Sequence, residues 1–198
     1  MNCIIPKTEY NKIAAEWEPP IYQEWQTIEE RFTFLALYLA VFKDKRVLEL
    51  GCNASIQIYS IMQYAASYIG IEPNTHYYNQ ACITRKYLQN KDAIHIRNGT
   101  LNDYHSVTQN AFFGSNILYW LSDYELRILD QKILSKCDCI VVLTRAKERN
   151  SQHNSFHLNR KENVEKLLSG FSTRSYDLPL HKVNRHYAGG YFITIGER

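Results

Sequence analysis

The chain has 198 residues, 45% of them hydrophobic and 22% charged, with a formal net charge of +3; that suits one domain with an ample core and neither argues for nucleic-acid binding nor excludes it. The opening Met1-Asn2-Cys3-Ile4-Ile5-Pro6 lacks the basic and apolar regions of a signal peptide, and the longest apolar run, Phe34–Phe42, is far too short to span a bilayer, so no membrane role is expected. The five cysteines (Cys3, Cys52, Cys82, Cys137, Cys139) are odd in number and scattered, which argues against a disulfide framework and for a reducing, cytoplasmic setting.

Residues 1–25 are polar and aromatic, with Trp17, Tyr22 and Trp25 around Pro19-Pro20, a diproline that breaks any helix. Thr27-Ile28-Glu29-Glu30 reads as a capping box opening a helix with Ile28, Phe32, Leu35 and Leu39 on one face. Val47–Leu50 is a short apolar run of buried-strand type, and Gly51 follows at once. A helical pattern then places Ile58, Ile61, Met62 and Ala65 on one face. Ser67–Pro73 reads as a second strand ending at Glu72. Strand, glycine turn, helix, strand and acid together make a nucleotide cradle. The glycine admits a ligand close to the backbone, and an acid about 20 residues later can accept from two ribose hydroxyls.

Two cofactors compete for such a cradle. A dinucleotide site wants G-x-G-x-x-G, but Asn53 and Ile56 stand where the second and third glycines belong. Residues 47–55 instead resemble motif I of the class I S-adenosylmethionine (SAM)-dependent methyltransferases, V-L-(D/E)-x-G-C-G-x-G, through Val47, Leu48, Glu49, Gly51 and Cys52. Residues 69–73 resemble the next motif, G-(I/V)-(D/E)-P, with Glu72 in the ribose-binding place and Pro73 beside it. Glu49 suits SAM, which carries an ammonium and no phosphate. Asn53 replaces the second glycine, as in the G-C-N-x-G variant found among relatives of the tRNA wobble-uridine carboxymethyl transferases. Ser55 replaces the third and adds a Cβ, which implies a loop that sits differently or holds SAM more weakly. The other reading of the unit is an α/β domain that uses this turn structurally.

Further along, Asn74 caps a helix with Tyr77, Ala81, Thr84 and Leu88 inward, and Ala93–Arg97 reads as the third strand. Asn98-Gly99-Thr100-Leu101 follows. The family commonly places an adenine-binding acid here; this chain offers Thr100, so the resemblance leaves adenine to Thr100, Asn98 or backbone groups. Phe113–Leu121 is the expected fourth strand. Ser122-Asp123-Tyr124-Glu125 is a capping box for a helix through Leu126, Leu129 and Ile133. Ile140–Leu143 is the fifth strand, ending at Thr144-Arg145. Residues 146–159 read as a mobile polar loop, Asn159 as the cap of a helix ended by Gly170, and Thr173–Leu178 and Tyr191–Ile195 as two late strands.

Alternating β and α elements point to a doubly wound sheet, and the resemblance implies three layers, seven strands and a reversed last strand. One methyltransferase domain over 1–198 is expected, with 1–42 as an N-terminal lid and helix segment and 43–198 as the core. Ligands bind at the carboxyl ends of the strands in such sheets. For the cofactor this selects Gly51, Cys52, Asn53, Glu72, Gly99, Thr100 and Leu118, and the motif resemblance adds Glu49 and Pro73. For the acceptor it selects Tyr119, Trp120 and Arg145; an N-terminal segment often covers the SAM pocket in the family, so the resemblance adds Trp25 (and Gln26 or Arg31). Trp25 could equally pack the helix entry, Tyr119 and Trp120 the core, and Arg145 a surface ion pair. Tyr119, His157 and His186 are candidate bases for an O or N nucleophile, with His153 and His181 behind them. No metal is expected: His153-x3-His157 lacks the Glu of H-E-x-x-H, and Cys137-x-Cys139 lacks a second pair. Three functions remain open. One is a SAM-dependent methyltransferase acting on a small or saccharide-like molecule. The others are an RNA methyltransferase and a non-catalytic SAM-fold binding protein. Oligomeric state is not legible.

Overall fold

A computed structural model describes residues 37–55, 57–104, 108–118, 121–145, 158, 160–178 and 191–198. Its seven strands form one sheet in the order β3-β2-β1-β4-β5-β7-β6. These are β1 (Arg46–Leu50), β2 (Ser67–Glu72), β3 (Ile94–Asn98), β4 (Ala111–Ser115), β5 (Cys139–Arg145), β6 (Ser172–Leu178) and β7 (Tyr191–Glu197). The first five are parallel, and β7 lies between β5 and β6, antiparallel to both. The doubly wound expectation with a reversed last strand therefore holds.

Strand period two divides the core. Val47, Phe113, Val141 and Ile193 face one layer, where α1 (Ile58–Ile61), Tyr77 of α2 (Thr75–Lys86) and Leu39 and Phe42 cover the sheet. Leu48, Leu50, Phe112, Ile140 and Phe192 face the other, under α3 (Asp123–Lys132) and α4 (Lys161–Leu167). Phe42 meets Phe113 edge to face, with centroids 6.3 Å apart, and both are fully buried. Each such burial contributes about 1.5–3 kcal/mol. The Cys139 Sγ donates to the Val41 carbonyl at 3.6 Å, so the end of the N-terminal segment is tied to β5. Cys52, Cys82, Cys137 and Cys139 are free thiols. Among the described residues no helix is long and apolar enough to cross a membrane.

Two helix starts form as their caps require. The Asn74 side chain accepts from the His76 and Tyr77 amides at 2.9 and 3.3 Å. At α3, Ser122 and Glu125 bond reciprocally: the Glu125 amide donates to Ser122 Oγ at 3.3 Å, and the Ser122 amide to Glu125 Oε2 at 2.9 Å. The Thr27 box lies outside the described residues.

Four expectations need correction. The fourth strand is Ala111–Ser115, not Phe113–Leu121. Asn116 turns left-handed at φ 54° and ends it, so Ile117 and Leu118 are apolar because they pack across strand ends. The helix after Gly51 is a single turn, Ile58–Ile61, with no side-chain cap; Met62 and Ala65 reach the same core from the turns that follow. The third strand starts and ends one residue later than expected, at Ile94 and Asn98. The cap of α4 is Arg160 rather than Asn159, and its C-cap is Leu168, before Gly170.

Candidate functional site

The strand order reverses between β1 and β4, both of which pair with their neighbours in parallel. That is the point where a doubly wound sheet opens a crevice at its carboxyl edge. The loop leaving β1 there has left-handed backbone at Gly51 (φ 63°), Asn53 (φ 49°) and Ser55 (φ 54°). Alternate positions are thus left-handed, although only the first is glycine. Asn tolerates this conformation because its short side chain can bond locally, and Asn53 Nδ2 donates to the Gly51 carbonyl at 3.2 Å.

The loop is held on three sides. The Gly51 amide donates to the Ile71 carbonyl at 2.8 Å. The Asn53 amide donates to Glu72 Oε2 at 2.9 Å, and Thr84 Oγ1 of α2 donates to the Ala54 carbonyl at 2.8 Å. The other oxygen of Glu72, Oε1, accepts from the Asn74 amide at 2.9 Å. One carboxylate therefore joins the loop after β1 to the cap of α2. Burial raises the Glu72 pKa above its ordinary value, with the two amides opposing that rise. A carboxylate oxygen has two lone pairs, so both oxygens can accept again from a ligand.

At the end of β3, Asn98 Nδ2 donates to the Glu72 carbonyl at 2.9 Å and to the Pro73 carbonyl at 3.3 Å. The Asp103 carboxylate folds back to accept from both the amide and the hydroxyl of Thr100 at 2.8 Å, beside Gly99. Asp103 thus stands at the strand end although it lies three positions past Thr100, a return that only the short 3-10 turn Leu101–Asp103 produces.

No family model matches the sequence, and no curated protein matches it. Solved structures do match. Magnesium protoporphyrin IX methyltransferase from Synechocystis, with bound S-adenosylhomocysteine (SAH), superposes with a TM-score of 0.66 at 12% identity, over 96% of this chain and 93% of that one. The N-methyltransferase NodS from Bradyrhizobium japonicum gives 0.64 at 15% identity, over 86% and 95%. A SAM-dependent methyltransferase from Aquifex aeolicus gives 0.62 at 13% identity, over 94% and 96%. The fold is that of the SAM-dependent methyltransferases.

On the methyltransferase fold the candidate residues separate into groups. Gly51, Asn53, Glu72, Pro73, Gly99 and Thr100 meet at the crevice edge. Glu49 does not open into it. It is 1% exposed, and the Tyr68 hydroxyl donates to its Oε2 at 2.6 Å. Cys52 is also buried; burial, then Glu49, pushes its pKa far up, which keeps it a thiol. Leu118 packs into the core under α3 and α4. Trp25, Gln26, Arg31, Tyr119, Trp120, His153, His157, His181 and His186 lie outside the described residues. Of Arg145 the backbone is described, paired with Tyr191 at the end of β5.

Two residues at the crevice edge were not among those selected from the sequence. Asp103 is one. Ile117 is the other: a Cβ on Gly51 would come within 2.8 Å of its Cδ1, and one on Gly114 within 3.1 Å of its Cγ2. Both glycines leave room for this one side chain across the strand ends, and no local motif announces it.

Ser55 is the costly position of the loop after β1. A left-handed non-glycine residue costs roughly 1–2 kcal/mol, and the Ser55 Oγ to Tyr68 hydroxyl contact of 3.4 Å offsets little of it. Ser55→Gly should raise unfolding stability by about 1 kcal/mol in urea titration. Equal or lower stability would mean that the buried hydroxyl contributes more than the backbone strain.

Proposed function

We propose that the chain is a SAM-dependent methyltransferase. The observation that carries this reading is the three-position left-handed loop at the reversal of strand order, with its Asn53 amide held by the Glu72 carboxylate. The residues fit the cofactor. Glu72 would accept from the ribose hydroxyls, Gly51 and Asn53 would line the amino-acid end with backbone groups, and Asp103 would offer the acceptor for the adenine amino group that Thr100 alone lacks. SAM supplies an electrophilic methyl on its sulfonium, so the chain's own task is to align an acceptor behind that carbon and exclude water. A single domain with 1–42 as an N-terminal lid and helix segment, whose end packs on the sheet through Leu39 and Phe42, belongs to this reading.

Calorimetric titration of the full chain with SAM and SAH tests it. Saturable binding of both is expected; binding of neither would overturn the assignment. Binding without transfer to any acceptor would favour the non-catalytic alternative.

The acceptor proposed is an O or N nucleophile on a small or saccharide-like molecule. Support comes from the neighbours that cover the chain almost end to end, one a porphyrin methyltransferase and one an N-methyltransferase. RNA is the alternative, and steeply salt-dependent RNA binding would favour it. Tyr119, His157 or His186 would serve as the base, and Trp25, Tyr119 and Trp120 would frame the acceptor. Arg145, at the end of β5, would grip a carboxylate or phosphate on it. Arg145→Ala should therefore keep SAH affinity within about twofold while transfer falls. Lysine should restore little if the grip is a bidentate fork. An equal loss of SAH affinity would move Arg145 to the cofactor.

A further inference from the structure

We propose that the amino edge of the sheet, the face opposite the crevice, is a docking surface for the phosphate backbone of double-stranded RNA. The inference goes beyond the SAM reading and does not depend on it. The net charge of +3 hides an uneven distribution. Lys43, Arg46 and Lys91 lead into β1 and β3 at this edge, and α3 and the 3-10 turn after it end here at Lys132 and Lys136. β7 runs the other way and brings Arg198 to the same edge, next to the start of β5. All six bases are exposed. Arg85 joins them from the end of α2, its Nε donating to the Lys91 carbonyl at 3.0 Å. The opposing acids are Asp44, Asp92, Asp130 and Asp138, and Lys45 already pairs with Asp138 at 2.8 Å. Glu197 is likewise paired with Arg174. The basic excess at this one edge is therefore larger than that of the whole chain.

The charge is held in place and left uncompensated. Arg46 Nε donates to the Thr108 carbonyl at 2.5 Å, and Arg198 Nη1 to the Ser135 carbonyl at 2.6 Å. A neutral carbonyl fixes a guanidinium without cancelling its charge. Lys43, Lys91, Lys132 and Lys136 have no acidic partner among the described residues. The helix dipole accounts for Arg85 and Lys132, which stand in last turns, but not for Lys43, Arg46 and Lys91. At about 4.8 Å per strand, the row from β3 to β7 is roughly 24 Å across, long enough to meet successive phosphates of one backbone. The other exposed residues of these turns, Gln89, Asn90, Thr108 and Ser135, are polar. They suit the 2′-hydroxyls of an A-form minor groove, and they offer a lipid layer nothing apolar. α2 and α3 arrive by their last turns, so the edge offers no length of helix to the major groove of DNA. β1 has five residues, which places RNA held here roughly 16 Å from the crevice. RNA at this surface is a tether, whatever acceptor the crevice takes.

The experiment titrates the full chain into a fluorescently labelled RNA duplex of about 20 base pairs at several salt concentrations, beside a DNA duplex of the same sequence and vesicles rich in phosphatidylserine. RNA binding should weaken with salt at a log–log slope of about −3 to −5, near −0.9 for each phosphate neutralised. The triple variant Lys43→Gln, Lys91→Gln, Lys136→Gln should make that slope shallower by about 2–3 and weaken RNA binding by about tenfold or more. A second triple, Arg97→Gln, Arg127→Gln, Arg160→Gln, removes the same charge from exposed positions away from this edge and should stay within about twofold of the wild type. Thermal unfolding checks that each protein is folded. Should the edge triple fail to fold, its three single variants carry the comparison, each making the slope shallower by about one. No RNA binding by the wild-type chain at low salt, or equal losses in the two triples, would overturn the proposal. DNA bound as tightly as RNA, or vesicles bound more tightly than RNA, would overturn it too. SAH titration reads the SAM proposal separately, and its failure leaves the RNA result untouched.

Discussion

Glu72→Gln should weaken SAM binding by about ten- to hundredfold, the equivalent of ~1.5–3 kcal/mol for a charge-assisted acceptor. The carboxylate accepts from two backbone amides, Asn53 through Oε2 and Asn74 through Oε1. A glutamine of the same shape can accept through one oxygen only. Its amide group would face the other N–H, so the loop after β1 or the cap of α2 loses its acceptor. In the proposed complex the ribose hydroxyls would lose theirs as well. Glu72→Ala should do more, because it frees both amides and leaves a void at a position 4% exposed.

The same carboxyl gives the binding a pH dependence with a definite sign. Burial raises its folded pKa above the ordinary 4.5. For the apo chain a raised carboxyl pKa means that the neutral form is the one folding favours. That contribution is complete below the unfolded pKa and is lost as pH rises through the folded value. Ribose hydroxyls need the ionised form as acceptor, so cofactor binding pulls the other way. SAH affinity should fall as pH drops through a window above 4.5, and binding there should release protons. Titrations in buffers of different ionisation enthalpy would show the release, and Glu72→Gln should abolish it. A flat pH profile in the wild type would remove Glu72 from the ribose site.

Gly51→Val should abolish SAM binding and destabilise the apo chain by about 2–3 kcal/mol. Two causes add. The backbone at φ 63° is left-handed, and a new Cβ would lie 2.8 Å from Ile117 Cδ1. The second cause yields partly, since the obstructing atom is the end of a flexible side chain. The first does not yield. Pairing Gly51→Ala with Ile117→Ala separates them: the double variant should regain part of the stability lost by Gly51→Ala through steric overlap. On the proposed cofactor reading it should not regain SAM affinity, because the left-handed backbone of the loop would remain strained. Normal SAM affinity in Gly51→Val would place the glycine turn elsewhere and sink the motif assignment.

Much of this was written locally. Val47–Leu50 followed by Gly51, and Ser67–Glu72 followed by Pro73, announce the cradle because strand period, glycine freedom and a terminal acid are all short-range signals. The Asn74 cap and the Ser122–Glu125 box are likewise confined to a few consecutive residues. The order of the sheet was foreseeable only through the family resemblance. The extent of the fourth strand was not, because an apolar run reads alike whether it is strand or a turn folded over strand ends, as Ile117 and Leu118 are.

Tertiary structure alone decided which groups touch. That Asn53 and Ser55 keep the left-handed backbone of a glycine loop follows from anchors at Ile71, Glu72 and Thr84, all far along the chain. Glu49 could be recognised as an acid two residues before the glycine, but not as the buried partner of Tyr68, because that contact exists only once β1 and β2 are in register. Gly70 looked like a motif letter. In the folded chain it is the space that a tyrosine hydroxyl and a cysteine sulfur occupy, and packing of that kind has no period for a sequence to show.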